Sequence, residues 1–347
     1  MTSTIPPHPF AVSKRRAALS AALGAALLGP LAAAGPARAQ ATGGTAAADW
    51  PSRPVRVIMP YAAGGPTDII ARLICEALSQ RLPQRFVVEN RTGAGGNIGA
   101  SAVAKAPPDG TTFLFTNTGH AVNRSLYARL DYDPQRDLAP VTIVAEGPMV
   151  LLVPNDLPAH NMAEFVELLR AKPGQYAYGS TGTGGALQLV SLLFLHASGL
   201  RMEEIPYRGT GNATQDLLSG RLAMLYTAGP SAFPIAQAGQ ARALAVSSAQ
   251  RSALMPDVPT IAEAGFPAAT FSVWQGLLAP AATPAPIVER LQREIAAVMA
   301  EGPLRQRFAE LGAERILANT PAEARRFVDA EMDRWAVVLR EAGVQPQ

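Results

Sequence analysis

The sequence predicts two α/β lobes, the first discontinuous in the chain, joined by two extended crossovers. Three observations carry this expectation. Short strand-like runs alternate with runs of helical period through most of residues 51–272. A strand, glycine loop and helix at 55–82 recur as the same construction at 176–197. An extended segment at 271–280 is then followed only by helices, so the chain is expected to cross back to the first lobe. The expected boundaries are 51–150 with 273–347 for the first lobe and 151–272 for the second.

The first construction organises the rest. Val55, Val57, Ile58 and Met59 form a strand bounded by Pro54 and Pro60. Apolar residues Ile70, Leu73, Ile74, Ala77 and Leu78 then mark one helix face. Between them lies Tyr61-Ala62-Ala63-Gly64-Gly65-Pro66-Thr67-Asp68. Thr67 or Asp68 is expected to cap the helix, with Pro66 limiting its backward extension. A strand at 86–89, a glycine-rich loop at 90–97, a helix from Ile98 to about Lys105 and a strand at 112–115 follow. The alternation predicts a parallel sheet with helices on both faces. Residues 116–120 read as a loop, and Val141–Val144 and Met149–Val153 as two strand-like pieces.

The second lobe opens with a helix at 162–170, a strand at 176–179, the loop Ser180-Thr181-Gly182-Thr183-Gly184-Gly185 and a helix over 187–197. Further units are a strand at 204–206 with a helix at 213–219, then strands at 223–226 and 244–247. Thr260 and Glu263 have capping-box spacing. The closing helices are expected at about 286–300, 303–311 and 321–341. The last has Thr320 as cap, Pro321 at the first position and Glu323 completing the box.

The leading forty residues read as an export address. Lys14, Arg15 and Arg16 precede an uncharged, alanine-rich run at 17–34, and Ala37-Arg38-Ala39 has the form of a cleavage site. Residues 41–50 read as a loose leader. The remaining chain of roughly 300 residues is long enough for one large or two medium domains. Hydrophobic content of 48% against 16% charged residues is ample for a core, and no later segment is long and apolar enough to span a bilayer. The single cysteine, Cys75, excludes an internal disulfide. A formal net charge of +3 with scattered Arg and Lys gives no basic patch, so nucleic acid is not an expected partner. The reading is a soluble periplasmic protein.

The glycine loops invite nucleotide readings that the residues reject. Ile98 and Leu187 stand where a dinucleotide fingerprint needs its third glycine, and neither loop carries the Gly-Lys-Ser/Thr of a phosphate loop. No cofactor is expected. No Gly-x-Ser-x-Gly surrounds Ser180, and no pair among His120, His160 and His196 has metal-ligand spacing, so neither a catalytic constellation nor a metal site is expected. His196 reads as a packed or capping residue; His120, after a strand-end glycine, reads as a possible border of a cleft. Two glycine loops, each before a helix N-terminus and each without Arg or Lys, remain. Such ends favour an anion by about 0.3–1 kcal/mol each, up to about 2 when partly buried. Facing each other, they suit a carboxylate held by main-chain amides and hydroxyls.

From Trp50 onward the chain resembles the Bug family, the extracytoplasmic solute-binding proteins of tripartite tricarboxylate transporters. The matching runs include Trp50-Pro51-Ser52-Arg53-Pro54-Val55, Pro60 through Asp68, Val88-Glu89-Asn90-Arg91, Gly93 through Gly99, Pro108-Asp109-Gly110, Asp257-Val258-Pro259-Thr260 and Gly276-Leu277-Leu278-Ala279-Pro280. They occur in the family's order. The resemblance implies a type II periplasmic-binding-protein fold, capture of a small carboxylate and delivery to membrane permease subunits. It also implies the binding residues: Tyr61, Ala63, Gly64, Gly65, Thr67 and Asp68 from the first loop, and Ser180, Thr181, Gly182, Thr183 and Gly184 from the second. Thr118, His120, Thr227, Ala228 and Trp274 complete the implied pocket. Three departures stand out. Ala63 replaces a common proline, Gln188 a common histidine, and Ala228 a common aspartate. The last favours a mono- or dicarboxylate over an amino acid. A monomer is expected. A ligand-sensing module for a membrane receptor and a periplasmic enzyme acting on a carboxylate remain as alternatives.

Overall fold

Among the described residues, ten strands join in one mixed sheet whose backbone is a single long strand. The computed structural model describes residues 49–347 except 62, 208, 342 and 347. The chain divides into Met1–Ala41 and Thr42–Gln347, and every described residue belongs to the second unit. The export-signal reading of residues 1–40 therefore lies outside the described residues, as does the leader reading of 41–50 up to residue 48; its last residue, Trp50, is no loose leader but is buried in the core, its indole donating to Gly110 O at 2.7 Å.

The chain opens with β1 (Val55–Met59), α1 (Pro66–Arg81), β2 (Phe86–Asn90), α2 (Asn97–Ala104), β3 (Thr112–Asn117) and α3 (Gly119–Leu126). β4 (Leu138–Pro154) then runs through both halves of the sheet. The chain continues with α4 (Met162–Ala171), β5 (Ala177–Ser180), α5 (Ala186–Ser198), β6 (Glu203–Pro206), α6 (Thr210–Leu218), β7 (Met224–Ala228), α7 (Gly229–Gln237) and β8 (Ala241–Val246). β9 (Ser272–Pro280), α8 (Ala285–Met299), α9 (Gly302–Glu310), β10 (Arg315–Ile316) and α10 (Pro321–Glu341) close the chain. β1 pairs in parallel with β2 and β3, and β5 with β6 and β7. The central pairings are antiparallel: β9 lies between β3 and β4, and β7 and β8 both pair with β4. The expectation of a parallel sheet thus holds only for the outer strands. The returning strand β9 must run antiparallel because it enters from the second lobe.

The two pieces expected at 141–144 and 149–153 are one strand of 17 residues. Glu146, Gly147 and Pro148, which look like a break, pair with Trp274, Val273 and Ser272. The loop expected at 116–120 gives way at Gly119 to a helix, α3, and α7 is a helix where the sequence reading placed no element. The Thr260–Glu263 box forms (Thr260 N to Glu263 Oε2 2.7 Å, Glu263 N to Thr260 Oγ1 3.0 Å) but caps a turn. The box at Thr320 opens α10 as expected, with Thr320 N to Glu323 Oε2 at 2.9 Å and Glu323 N to Thr320 Oγ1 at 3.3 Å.

Alternation along the strands fixes which side chains meet which helices. On one face of the first sheet, Val57, Met59, Phe113, Phe115, Leu277 and Ala279 share a core with Ile70 and Ile74 of α1 and with Ile287, Leu291 and Ile295 of α8. On the other, Ile58, Leu114 and Leu278 meet Ala100 and Val103 of α2. Each fully buried side chain of this size contributes about 1.5–3 kcal/mol. The buried stripe of α10, Val328, Met332, Trp335 and Leu339, belongs to the large core of the second sheet half together with α3. His196 on α5 is half exposed, its Nε2 3.1 Å from Glu341 of α10.

Candidate functional site: two glycine loops at helix N-termini

The first loop leaves β1 through Pro60 and Tyr61. Gly64 has φ +83°, a left-handed conformation that a side chain would strain. Gly65 is extended (φ −75°, ψ 164°) and is the N-cap of α1, with Pro66 in the first turn. Neither Thr67 nor Asp68 caps the helix, as the sequence reading expected. Both lie inside it. Asp68 instead reaches back and binds the loop.

Asp68 is 2% exposed and its two oxygens are fully engaged. Oδ2 accepts from Gly64 N (3.0 Å) and Arg72 Nε (2.9 Å). Oδ1 accepts from Asn90 Nδ2 (2.8 Å) and Arg72 Nη2 (3.2 Å). Asn90 also donates to Tyr61 O (3.0 Å), tying β2 to the loop. Burial pushes the Asp68 carboxyl up, but the hydrogen bonds from Arg72, Gly64 and Asn90 outweigh it and hold the group below its ordinary value. Burial pushes the Tyr61 phenol up to about 12, and its hydroxyl lies 3.1 Å from Thr116 Oγ1.

The second loop repeats the backbone. Gly184 has φ +77°. Gly185 is extended (φ −69°, ψ 146°) and is the N-cap of α5. Gln188, four residues past Gly184 as Asp68 is four past Gly64, accepts the Gly184 amide through Oε1 (2.8 Å). Its Nε2 donates to both oxygens of Glu204 on β6, at 3.0 Å each. Glu204 also accepts from Ser180 Oγ (2.6 Å) and the Tyr178 hydroxyl (3.1 Å), and Ser180 Oγ in turn accepts from Gly182 N (3.1 Å).

Both helix starts leave first-turn amides without intrahelical partners, as every α-helix does. The sequence-named residues fall around them unevenly. Thr67 accepts from Asn117 Nδ2 (3.3 Å), which brings the end of β3 against the first loop. Thr118 is buried, and its Oγ1 accepts from Trp274 N (3.1 Å). Ala63 and Thr183 are exposed at the loop tips, and Thr181 is half-buried. α3 links the two loops: it starts beside Asn117 and ends at Leu126, against which Gly184 rests so closely that a Cβ there would stand 2.5 Å from Cδ1. Thr227 and Ala228 end β7 beside β5, and Thr227 Oγ1 is buried without a partner among the described residues.

Two named side chains turn elsewhere. The Trp274 indole donates to Glu331 of α10 (3.3 Å) and meets Phe327 edge-on, so only its backbone faces Thr118. It lines a cavity of about 380 Å³ with Glu146, Phe327 and Glu331, which no residue of either glycine loop lines. His120 is buried, its ring hydrogen-bonded to the backbone of Pro134. Burial pushes it down to about 4, so it is neutral. Arg72, Asn117, Glu204 and Gln275 were not named from sequence. The shared spacing Gly64 to Asp68 and Gly184 to Gln188 is visible there, but the partners Asn90 and Glu204 come from other strands and carry no local signal. Among the described residues no cluster of metal-ligating side chains occurs.

Comparison with known proteins gives a consistent placement. Residues 70–344 match the model of the tripartite tricarboxylate transporter family receptor. The protein BugT of Bordetella pertussis is 37% identical over 298 residues, which cover 85% of this chain and 91% of that protein. The solved structure of R. palustris Rpa4515 with adipate is 38% identical, with a TM-score of 0.77 over 86% of this chain and 100% of that one. MatC of Rhodopseudomonas palustris with bound malate is 32% identical, with a TM-score of 0.73 over 84% of this chain and 100% of that one. The fold is therefore the two-lobed periplasmic-binding-protein fold, and the chain belongs to the tripartite tricarboxylate transporter receptor family.

Proposed function

We propose that this protein captures a small carboxylate lacking an amine between its two lobes and hands it to the permease subunits of a tripartite transporter. The observation that carries the reading is the repeated frame. Two glycine loops share one backbone conformation, and each ends at the N-terminus of a long helix. Such ends supply amide donors and a favourable field for a carboxylate. The similar structures with adipate and malate support the ligand class. The absence of an amine rests on charge. The carboxylates of Asp68 and Glu204 beside the loops are already engaged by their own donors, and Ala228 adds none. An ammonium group therefore meets no free anion among these residues. The lobes are read as 51–150 with 273–347 and as 151–272, so that β4 and β9 are the crossovers. A monomer exported by a cleaved N-terminal signal, without catalytic activity, fits a protein that delivers its ligand unchanged.

A thermal-shift screen against mono-, di- and tricarboxylates and amino acids tests this. Ligand at a hundred times Kd stabilises by about 2.7 kcal/mol, a shift of a few degrees. A response to carboxylates and none to amino acids is expected. A response confined to amino acids, or none after denaturation and refolding to strip carried-over ligand, would refute the reading. Conversion of the bound acid on long incubation would favour the enzyme alternative.

A further inference from the structure

Gln275 sits on β9 next to Trp274 but on the other face. The Trp274 side chain is committed to α10, and side chains alternate along a strand. Leu277 and Ala279, which share the Gln275 face, pack in one core with Ile70 and Ile74 of α1. Gln275 is also directly opposite Asn117 in the β3–β9 ladder. Asn117 holds the first turn of α1 through Thr67 and accepts from Gly119 N at 2.9 Å. Gln275 thus borders the N-terminus of α1 beside the group that secures the first glycine loop. It is 6% exposed, and its Oε1 has no donor among the described residues. Its neighbours Tyr61, Asn117 and Thr118 all have partners. A buried amide oxygen left unpaired is costly, so a native site normally supplies it a donor.

We propose that Gln275 contacts the ligand beside the first glycine loop and reads a hydroxyl on it, which narrows the ligand from a small carboxylate to a hydroxycarboxylate. This rests on the carboxylate reading given above. A ligand methylene satisfies neither end of the amide. A ligand carboxylate satisfies only its N–H. A hydroxyl donates to the amide oxygen or accepts from its N–H, so it serves either orientation of the side chain. An ammonium group would also donate, but it would need a neighbouring free carboxylate, and Asp68 and Glu204 are engaged.

Isothermal titration of the wild-type protein with malate (both enantiomers) and succinate, which differ by one hydroxyl, tests the assignment. A site that hydrogen-bonds a ligand hydroxyl discriminates strongly against the analogue lacking it. We expect malate to bind at least about tenfold more tightly. In Gln275→Met the ratio of malate to succinate affinity is expected to fall to within about twofold, a ratio that a uniform loss of binding or stability would not change. Equal wild-type affinity for the two acids overturns the role of Gln275 and leaves the carboxylate reading standing. A preference that survives in Gln275→Met does the same. If the wild-type protein binds neither acid, nor any other carboxylate, both fall together.

Discussion

The two glycine loops share a backbone and differ in what supports it. In the first, an anion, Asp68, holds the Gly64 amide and is neutralised by Arg72 on its own helix. In the second, a neutral amide, Gln188, holds Gly184, and the anion stands one step further away at Glu204. The first support is local in sequence, within residues 64–72, apart from Asn90. The second is spread over β5, α5 and β6. The first glycine also faces open space: a Cβ on Gly64 would meet nothing within 4 Å, whereas one on Gly184 would strike Leu126 of α3. One conformation is thus reached by two chemistries, and of the two glycines Gly184 alone is wedged against a neighbouring helix.

This contrast can be broken most forcefully at the glycines. Gly184→Ala adds a steric conflict to the conformational penalty, about 1–2 kcal/mol for φ and a further 1–3 for overpacking. Gly64→Ala incurs only the first, about 1–2 kcal/mol. Urea denaturation should rank the two variants in that order. Equal losses would mean that the contact with Leu126 relaxes freely.

The next test removes the anion of the first loop. Asp68→Ala leaves Gly64 N without its acceptor, Asn90 Nδ2 with only Tyr61 O and Arg72 without its counter-charge, and is expected to cost about 2–3 kcal/mol. Gln188→Ala, which removes a neutral acceptor but leaves Glu204 bonded by Ser180 and Tyr178, should cost about 1–2 kcal/mol. Both should weaken ligand binding by more than their change in melting temperature accounts for, because each frees an amide of its loop.

The smallest effect is a pH dependence at the first loop. The Asp68 carboxyl is held below its ordinary value of 3.8 in the folded protein. Its contribution is therefore fully present above that value and is lost as pH falls through the folded one. Stability measured from pH 7 to 3 should fall less steeply in Asp68→Asn than in wild type.

The loops were legible in the sequence because strand propensity, paired glycines and helical period coincide within a dozen residues. The elements that position them were less so. α3 contains His120 and Asn123, polar residues buried among α10 and the segment around Pro134, so it shows no solvent-facing stripe. α7 carries Pro230 and Pro234 and reads as a turn. Pro230 lies in the first turn, where its missing N–H costs nothing, whereas Pro234 lies inside the helix and removes one intrahelical bond. The apparent break in β4 at Glu146-Gly147-Pro148 is overruled by β9 from far along the chain and by the ion pair of buried Glu146 with Arg315. Trp274 was named with the pocket because the family resemblance implies it, but its neighbour Gln275 is the residue on the α1 face. A one-residue difference in register decides which face a side chain serves.

The insertion of β9 between β3 and β4 dictates an order of assembly. Leu138 pairs with Pro280 and Pro148 with Ser272, so the ladder completing the first lobe draws on residues that follow the whole second lobe. Until those residues arrive, β3 and the first half of β4 have unsatisfied edges, and their pairing waits on a long loop closure that slows folding. A chain emerging from its N-terminus therefore cannot finish the half that emerges first. The last strand locks both halves together.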